Sequence, residues 1–138
     1  MKQEGALDLL HHIELNVSDL PQSRKFYEVL FAELGYGIFQ EWPAGFSFKS
    51  GETYFVFVQT EKQFLHTPYH RKMTGLNHLA FHAKSRAQVD ALTEKMKGLG
   101  VRILYEADHP YAGGPEHYAV FMEDPDRIKI EIVAGKEG

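Results

Sequence analysis

Two stretches of this chain carry the same pattern. Moving the sequence by 66 residues lays His12, Ile13, Leu15 and Val17 on His78, Leu79, Phe81 and Ala83, and then Phe26 on Leu92 and Leu30 on Met96. A repeat of this length predicts two similar units built from the same elements in the same order. In the first, residues 9–17 alternate apolar and polar, as a half-buried strand does. Asp19 supplies an N-cap and Pro21 falls in the first helical turn. Phe26, Tyr27, Leu30, Phe31 and Leu34 then recur at helical spacing until Gly35 and Gly37 end the helix. Three strand-like runs follow, Ile38–Glu41, Phe46–Lys49 and Tyr54–Gln59, split by Trp42-Pro43-Ala44-Gly45 and Ser50-Gly51-Glu52. In the second unit a strand at 76–83 precedes the capping-box pair Ser85 and Gln88 and a helix on Val89, Leu92, Met96 and Leu99. Gly98 and Gly100 close it, and strands follow near 101–106, 117–123 and 128–134. The fold class is α+β: one domain with module one at about 8–60, a polar linker at about 61–75 and module two at about 76–134.

Composition narrows the function. No apolar run approaches the roughly 20 residues that span a bilayer, so no membrane partner is expected. The start, MKQEGALDLL, lacks an apolar core behind a basic segment and predicts no signal peptide. Fifteen basic and nineteen acidic residues give a net charge of -4 with no basic cluster, which removes the electrostatic footprint of a nucleic-acid binder. Absence of cysteine excludes disulfides, thiolate metal sites and thiol nucleophiles, and a cytoplasmic protein is expected. Eight histidines remain to be explained.

Strand parity organises them. If Ile13, Leu15 and Val17 pack under a helix, His12, Glu14 and Asn16 face the other way. By the same rule Leu79, Phe81 and Ala83 leave His78, Ala80 and His82 opposite, and Ile128, Ile130 and Ile132 leave Lys129, Glu131 and Val133. Each such residue alone reads as a solvated polar side chain. Together, His12, His78 and Glu131 come from three strands onto one concave surface, and two imidazoles with a carboxylate suit a divalent transition metal with open positions. Pairing Phe121 with Glu131 also requires a three-residue hairpin that places Arg127 in the left-handed region.

LHHIELNVSDLPQSRKFYEVLFAELGY, GLNHLAFHA and HYAVFMEDPDRIKIEIVA resemble the vicinal oxygen chelate superfamily of glyoxalases, bleomycin-resistance proteins and extradiol dioxygenases, over about Leu9 to Val133. The resemblance implies two βαβββ modules forming a cupped mixed sheet around a central cleft. His12, His78 and Glu131 would be ligands of a divalent ion there (Zn, Ni, Fe, Mn or Co). Two departures stand out. Aligning Tyr54–Gln59 with Ile128–Val133 puts Phe57 where glyoxalase I has a fourth ligand, and Phe121 stands where extradiol dioxygenases have tyrosine.

The same face offers further candidates. His117 shares the parity of Phe121 and is the first candidate for a proton carrier, with a solvated edge histidine as the bland alternative. Glu14, about 7 Å along the strand from His12, is the second. Phe55, Phe57, Gln59 and Phe121 are expected to line the substrate pocket, and Tyr111-Ala112-Gly113-Gly114-Pro115 to form a loop over it. The expected function is a metal-dependent enzyme of the lyase/isomerase, transferase or dioxygenase kind, acting on a small organic substrate with vicinal oxygens or a thiol conjugate. The alternative is a non-catalytic, drug-sequestering binding protein. A homodimer is the expected assembly, by resemblance.

Overall fold

The computed structural model describes residues 9–135, so the signal-peptide expectation rests largely on residues outside that span. The chain divides into two compact units, one running to His66 and the other from Thr67, and the division falls inside the 61–75 stretch.

The first unit runs β1 (His12–Val17), α1 (Leu20–Leu34), β2 (Gly37–Trp42), β3 (Gly45–Ser50) and β4 (Thr53–Gln59). Its sheet has the order β1-β4-β3-β2, with β1 parallel to β4 and the other pairs antiparallel. The Asp19 carboxylate accepts from the Gln22 N–H at 3.1 Å, satisfying a donor that the first turn leaves free. Gly35 closes α1 at φ 88°, the left-handed cap that glycine adopts without a Cβ penalty. Gly37, expected to help end the helix, instead opens β2. α1 buries Phe26, Tyr27, Leu30 and Phe31, and Tyr27 lies with its ring centroid 4.2 Å from that of Phe57.

The second unit repeats this with β5 (Leu79–Ala83), α2 (Arg86–Gly98), β6 (Ile103–Leu104), β7 (Ala119–Glu123) and β8 (Lys129–Ala134), in the order β5-β8-β7-β6. Ser85 Oγ accepts from Gln88 N–H at 3.1 Å while the Gln88 side chain accepts from Lys84 N–H at 2.7 Å, a reciprocal cap. α2 buries Val89, Leu92 and Met96 on the helix side of its sheet, where Val120, Met122, Ile130 and Ile132 are fully buried. The first strand of this unit starts at Leu79 rather than 76, so His78 sits just ahead of it. The strand expected over 101–106 shrinks to two residues, leaving 105–118 as connecting loop.

Strand register within each unit identifies equivalent positions and corrects one alignment. β1 pairs Glu14 with Val56, and β5 pairs Ala80 with Glu131. Glu14 and Ala80 are equivalent by the repeat, so Val56, not Phe57, holds the place that Glu131 holds in the second unit. At the β7–β8 turn Arg127 does take the left-handed conformation, at φ 66°. The buried Asp124 carboxylate secures that turn by accepting from the Asp126 and Ile128 N–H groups, both at 2.8 Å.

Candidate functional site

The second unit gathers three of the singled-out residues. Glu131 sits mid-strand in β8, opposite Phe121 of β7 and beside Ala80 of β5, with neighbours Ile130 and Ile132 committed to the helix side. Its carboxylate is only 6% exposed. One oxygen lies 3.0 Å from His78 Nε2, and the other is hydrogen-bonded to His117 Nε2. A buried carboxylate costs several kcal/mol unless charged or donating partners meet it; here both partners are imidazoles.

His78 is oriented from its far side. Its Nδ1 lies 2.6 Å from Asn77 Oδ1, so the Nδ1–H donates there. A neutral His78 then presents only the Nε2 lone pair to Glu131, and two lone pairs repel. A cation belongs between them, either a proton on Nε2 or a metal ion. His117 reaches Glu131 from the 105–118 loop. Turns within that loop shape it: Tyr111 N–H donates to Asp108 carbonyl at 2.8 Å, Gly114 N–H to Tyr111 at 3.0 Å and His117 N–H to Gly114 at 3.1 Å. A Cβ at Gly113 would collide with the His117 ring, so glycine there allows the close approach.

A cavity of about 440 Å³ opens over this group, within the range of small-molecule sites. His78, His117, Glu131 and Phe121 line it, with Ala112 and Gly113 of the loop and with Tyr105, Asp108 and Lys129. Phe121 belongs with Leu104, Ala119, Ala112 and Val133 to an apolar cluster beneath it. The Lys129 ammonium donates to the Tyr105 hydroxyl at 2.9 Å. That bond holds the phenol below its ordinary range; partial burial opposes it, and the charges of Lys129, Arg71 and Lys72 reinforce it. Sequence reading placed Lys129 on this face but carried no signal for Tyr105.

The other candidates lie in the first unit. His12 opens β1, its Nδ1 2.8 Å from that of His11 and its ring stacked on Tyr54 at 4.8 Å. Glu14 is exposed on the same strand. Three of the expected lining residues instead turn to the helix side of their sheet. Phe55 and Phe57 are buried against α1, with Phe31 and Tyr27, because β4 turns its odd-numbered side chains toward the helix. Gln59 follows the same parity: its Oε1 accepts from Leu20 N–H at 2.9 Å and its Nε2 donates to Ser18 carbonyl at 2.8 Å, pinning the helix start.

The donor types fit a divalent ion, since two imidazole nitrogens and a carboxylate oxygen form a set that first-row metals accept. As placed, these side chains bond to one another, and among the described residues no three acidic or histidine side chains surround a common point. The described residues include no helix long and apolar enough to cross a membrane.

Residues 9–132 match the family model of the Glyoxalase/Bleomycin resistance protein/Dioxygenase superfamily. The chain is 56% identical over 125 residues to the uncharacterized protein YqjT of Bacillus subtilis, covering 91% of this chain and 98% of that one. A candidate glyoxalase from Bacillus halodurans, known from a crystal structure, is 58% identical and superposes with a TM-score of 0.91 over 96% of this chain and 97% of its own. The fosfomycin resistance protein FosX from Listeria monocytogenes shares the fold at 24% identity, with a TM-score of 0.69 over 94% and 95% of the two chains. The duplicated βαβββ plan and the family match agree: the chain belongs to the glyoxalase/bleomycin resistance/dioxygenase superfamily.

Proposed function

We propose that the protein is a metal-dependent enzyme acting on a small organic substrate that carries vicinal oxygens or a thiol conjugate. His78 and Glu131 are the ligands supplied by the second unit, and the family resemblance adds His12 as the remaining donor. One observation carries the reading: a buried Glu131 carboxylate faces the Nε2 of a histidine whose other nitrogen already donates to Asn77. That arrangement calls for a cation, and the cavity beside it has the volume of a small-molecule site. When bound, a divalent ion supplies Lewis acidity to two neighbouring substrate oxygens. The protein's own groups do the rest. His117, hydrogen-bonded to Glu131 through Nε2 and lining the cavity, is the proton carrier to or from the substrate. Glu14 of the first unit is the second candidate for that role. Phe121 and Ala112 give the substrate an apolar wall that excludes water from one side.

Metal content of protein purified without an affinity tag tests this. The native chain should hold about one divalent ion, and His78→Ala should lower occupancy at least about tenfold. Equal content in the two would overturn the proposal. Ligand binding that needs no ion and survives His12→Ala would instead favour the drug-sequestering alternative.

A further inference from the structure

We propose that Lys129 and Tyr105 form an anion-recognition subsite in this cavity, so that the substrate is a small organic acid whose carboxylate lies away from its two metal-facing oxygens. The substrate class rests on the metal-dependent reading above; the subsite itself does not.

Lys129 and Glu131 are two residues apart on β8, so their side chains leave the same face of the sheet about 7 Å apart. That spacing suits the two ends of a molecule of a few carbons. The ammonium is held in place by rings: Nζ lies 4.8 Å from the Tyr105 centroid and 5.1 Å from that of Phe121. Among the described residues its partners are the Tyr105 hydroxyl and these two rings, with no carboxylate in ion-pair range. A lysine facing a cavity without a counter-ion is a receptor for one. One of its three protons goes to Tyr105, which leaves two for a ligand, and the Tyr105 hydroxyl, accepting from Lys129, keeps its own proton to donate.

Backbone strain points the same way. Tyr105 sits at φ 57°, a conformation that costs a residue with a Cβ on the order of 1 kcal/mol, and its carbonyl accepts from the Asp108 and His109 N–H groups, both at 3.0 Å. In that conformation the Tyr105 side chain lines the cavity and meets the Lys129 ammonium. Asp108 lines the same cavity and opposes negative charge, which favours one singly charged carboxylate at this subsite over a doubly charged group such as a phosphate.

Calorimetry with two acids separates this subsite from the metal. 2-Oxoglutarate and 2-oxopentanoate are alike at their vicinal oxygens and differ in the distal carboxylate. The native protein should bind 2-oxoglutarate about tenfold more tightly or better, the range of charge-assisted hydrogen bonds. Lys129→Met should bring the ratio to about one, Lys129→Arg should preserve it, and Tyr105→Phe, half-exposed and losing only a hydroxyl, should lower it about threefold. A ratio unchanged in Lys129→Met, no preference in the native chain, or no binding of either acid would overturn the subsite. Metal uptake is measured first: if none occurs, the metal-dependent reading fails, and the same two acids titrated into the metal-free protein still decide the subsite by their ratio.

Discussion

At equivalent positions the two units part company. Where the second has Glu131, Phe121 and Glu123, the first has Val56, Ser47 and Lys49, as the matched strand registers establish. The connection between the outer strands differs too: seven positions separate the paired Gln40 and Ser47, and seventeen separate Leu104 and Phe121. The helix sides, by contrast, stay alike, with Tyr27, Phe31 and Phe57 in one and Leu92, Met96 and Ile130 in the other all buried. Helix-side packing fixes register, because a slip by one residue would turn every apolar side chain outward. The opposite face is then free to diverge, and in the second unit it gained a buried carboxylate together with a loop long enough to bring His117 onto it.

Glu131→Val makes the second unit resemble the first at this point and should have the largest effect. Metal affinity should fall by about a hundredfold or more, the loss expected of an anionic ligand. Stability should stay within about 1 kcal/mol of native, since a buried ionic group replaced by an apolar one is often neutral or better. Dialysis against the metal and urea unfolding of one preparation read both; unchanged affinity would mean that Glu131 is structural.

The second contrast is Glu123 against Lys49. Glu123 is buried and paired with Arg71 at 2.7 Å, with Arg127 Nε at 3.3 Å. Burial pushes its carboxyl up, but the hydrogen bonds from Arg71 and Arg127 outweigh burial and hold it below the usual range. Its stabilising contribution is therefore present above the unfolded carboxylate value and lost only as pH falls through the depressed folded value. Arg71→Met should cost about 3 kcal/mol at neutral pH by stranding that charge, and should move the acid loss of stability to higher pH. Urea unfolding across a pH series checks both, and an unmoved acid limb would show that Arg127 suffices.

Smaller effects probe the loop and the turn. Gly113→Ala should displace the His117 ring at a cost of about 1–2 kcal/mol, visible as altered ring resonances of His117. Arg127→Gly should relieve a left-handed conformation worth about 1 kcal/mol while giving up a half-exposed contact to Glu123 worth a few tenths. A rise in Tm of about 2 °C is expected, and a fall would show that the side chain outweighs the strain.

Much of this was legible from alternation. Polar residues between isoleucines marked the free side of Glu131, and counting back from Phe121 placed Arg127 in the left-handed turn. The rule failed at Phe55-Val56-Phe57-Val58, where every residue is apolar and the period carries no direction. There the pairing of Glu14 with Val56 decides the parity, and pairing is a long-range property. His117 was readable only as a neighbour of the face, since its contact with Glu131 depends on turns at Tyr111 and Gly114 that lie outside any regular element. Tyr105 left no trace, because a left-handed tyrosine after a two-residue strand has no periodic signature.

The assignment of chemistry to His78, His117 and Glu131 is tested most directly by nuclear magnetic resonance of the histidine ring nitrogens during titration with zinc. The ring resonances of His78 should shift within the first equivalent and those of His117 should respond with them, while those of His66 and His70 stay in place. A uniform drift of all the histidines, or no response from His78, would contradict a metal centre built on Glu131.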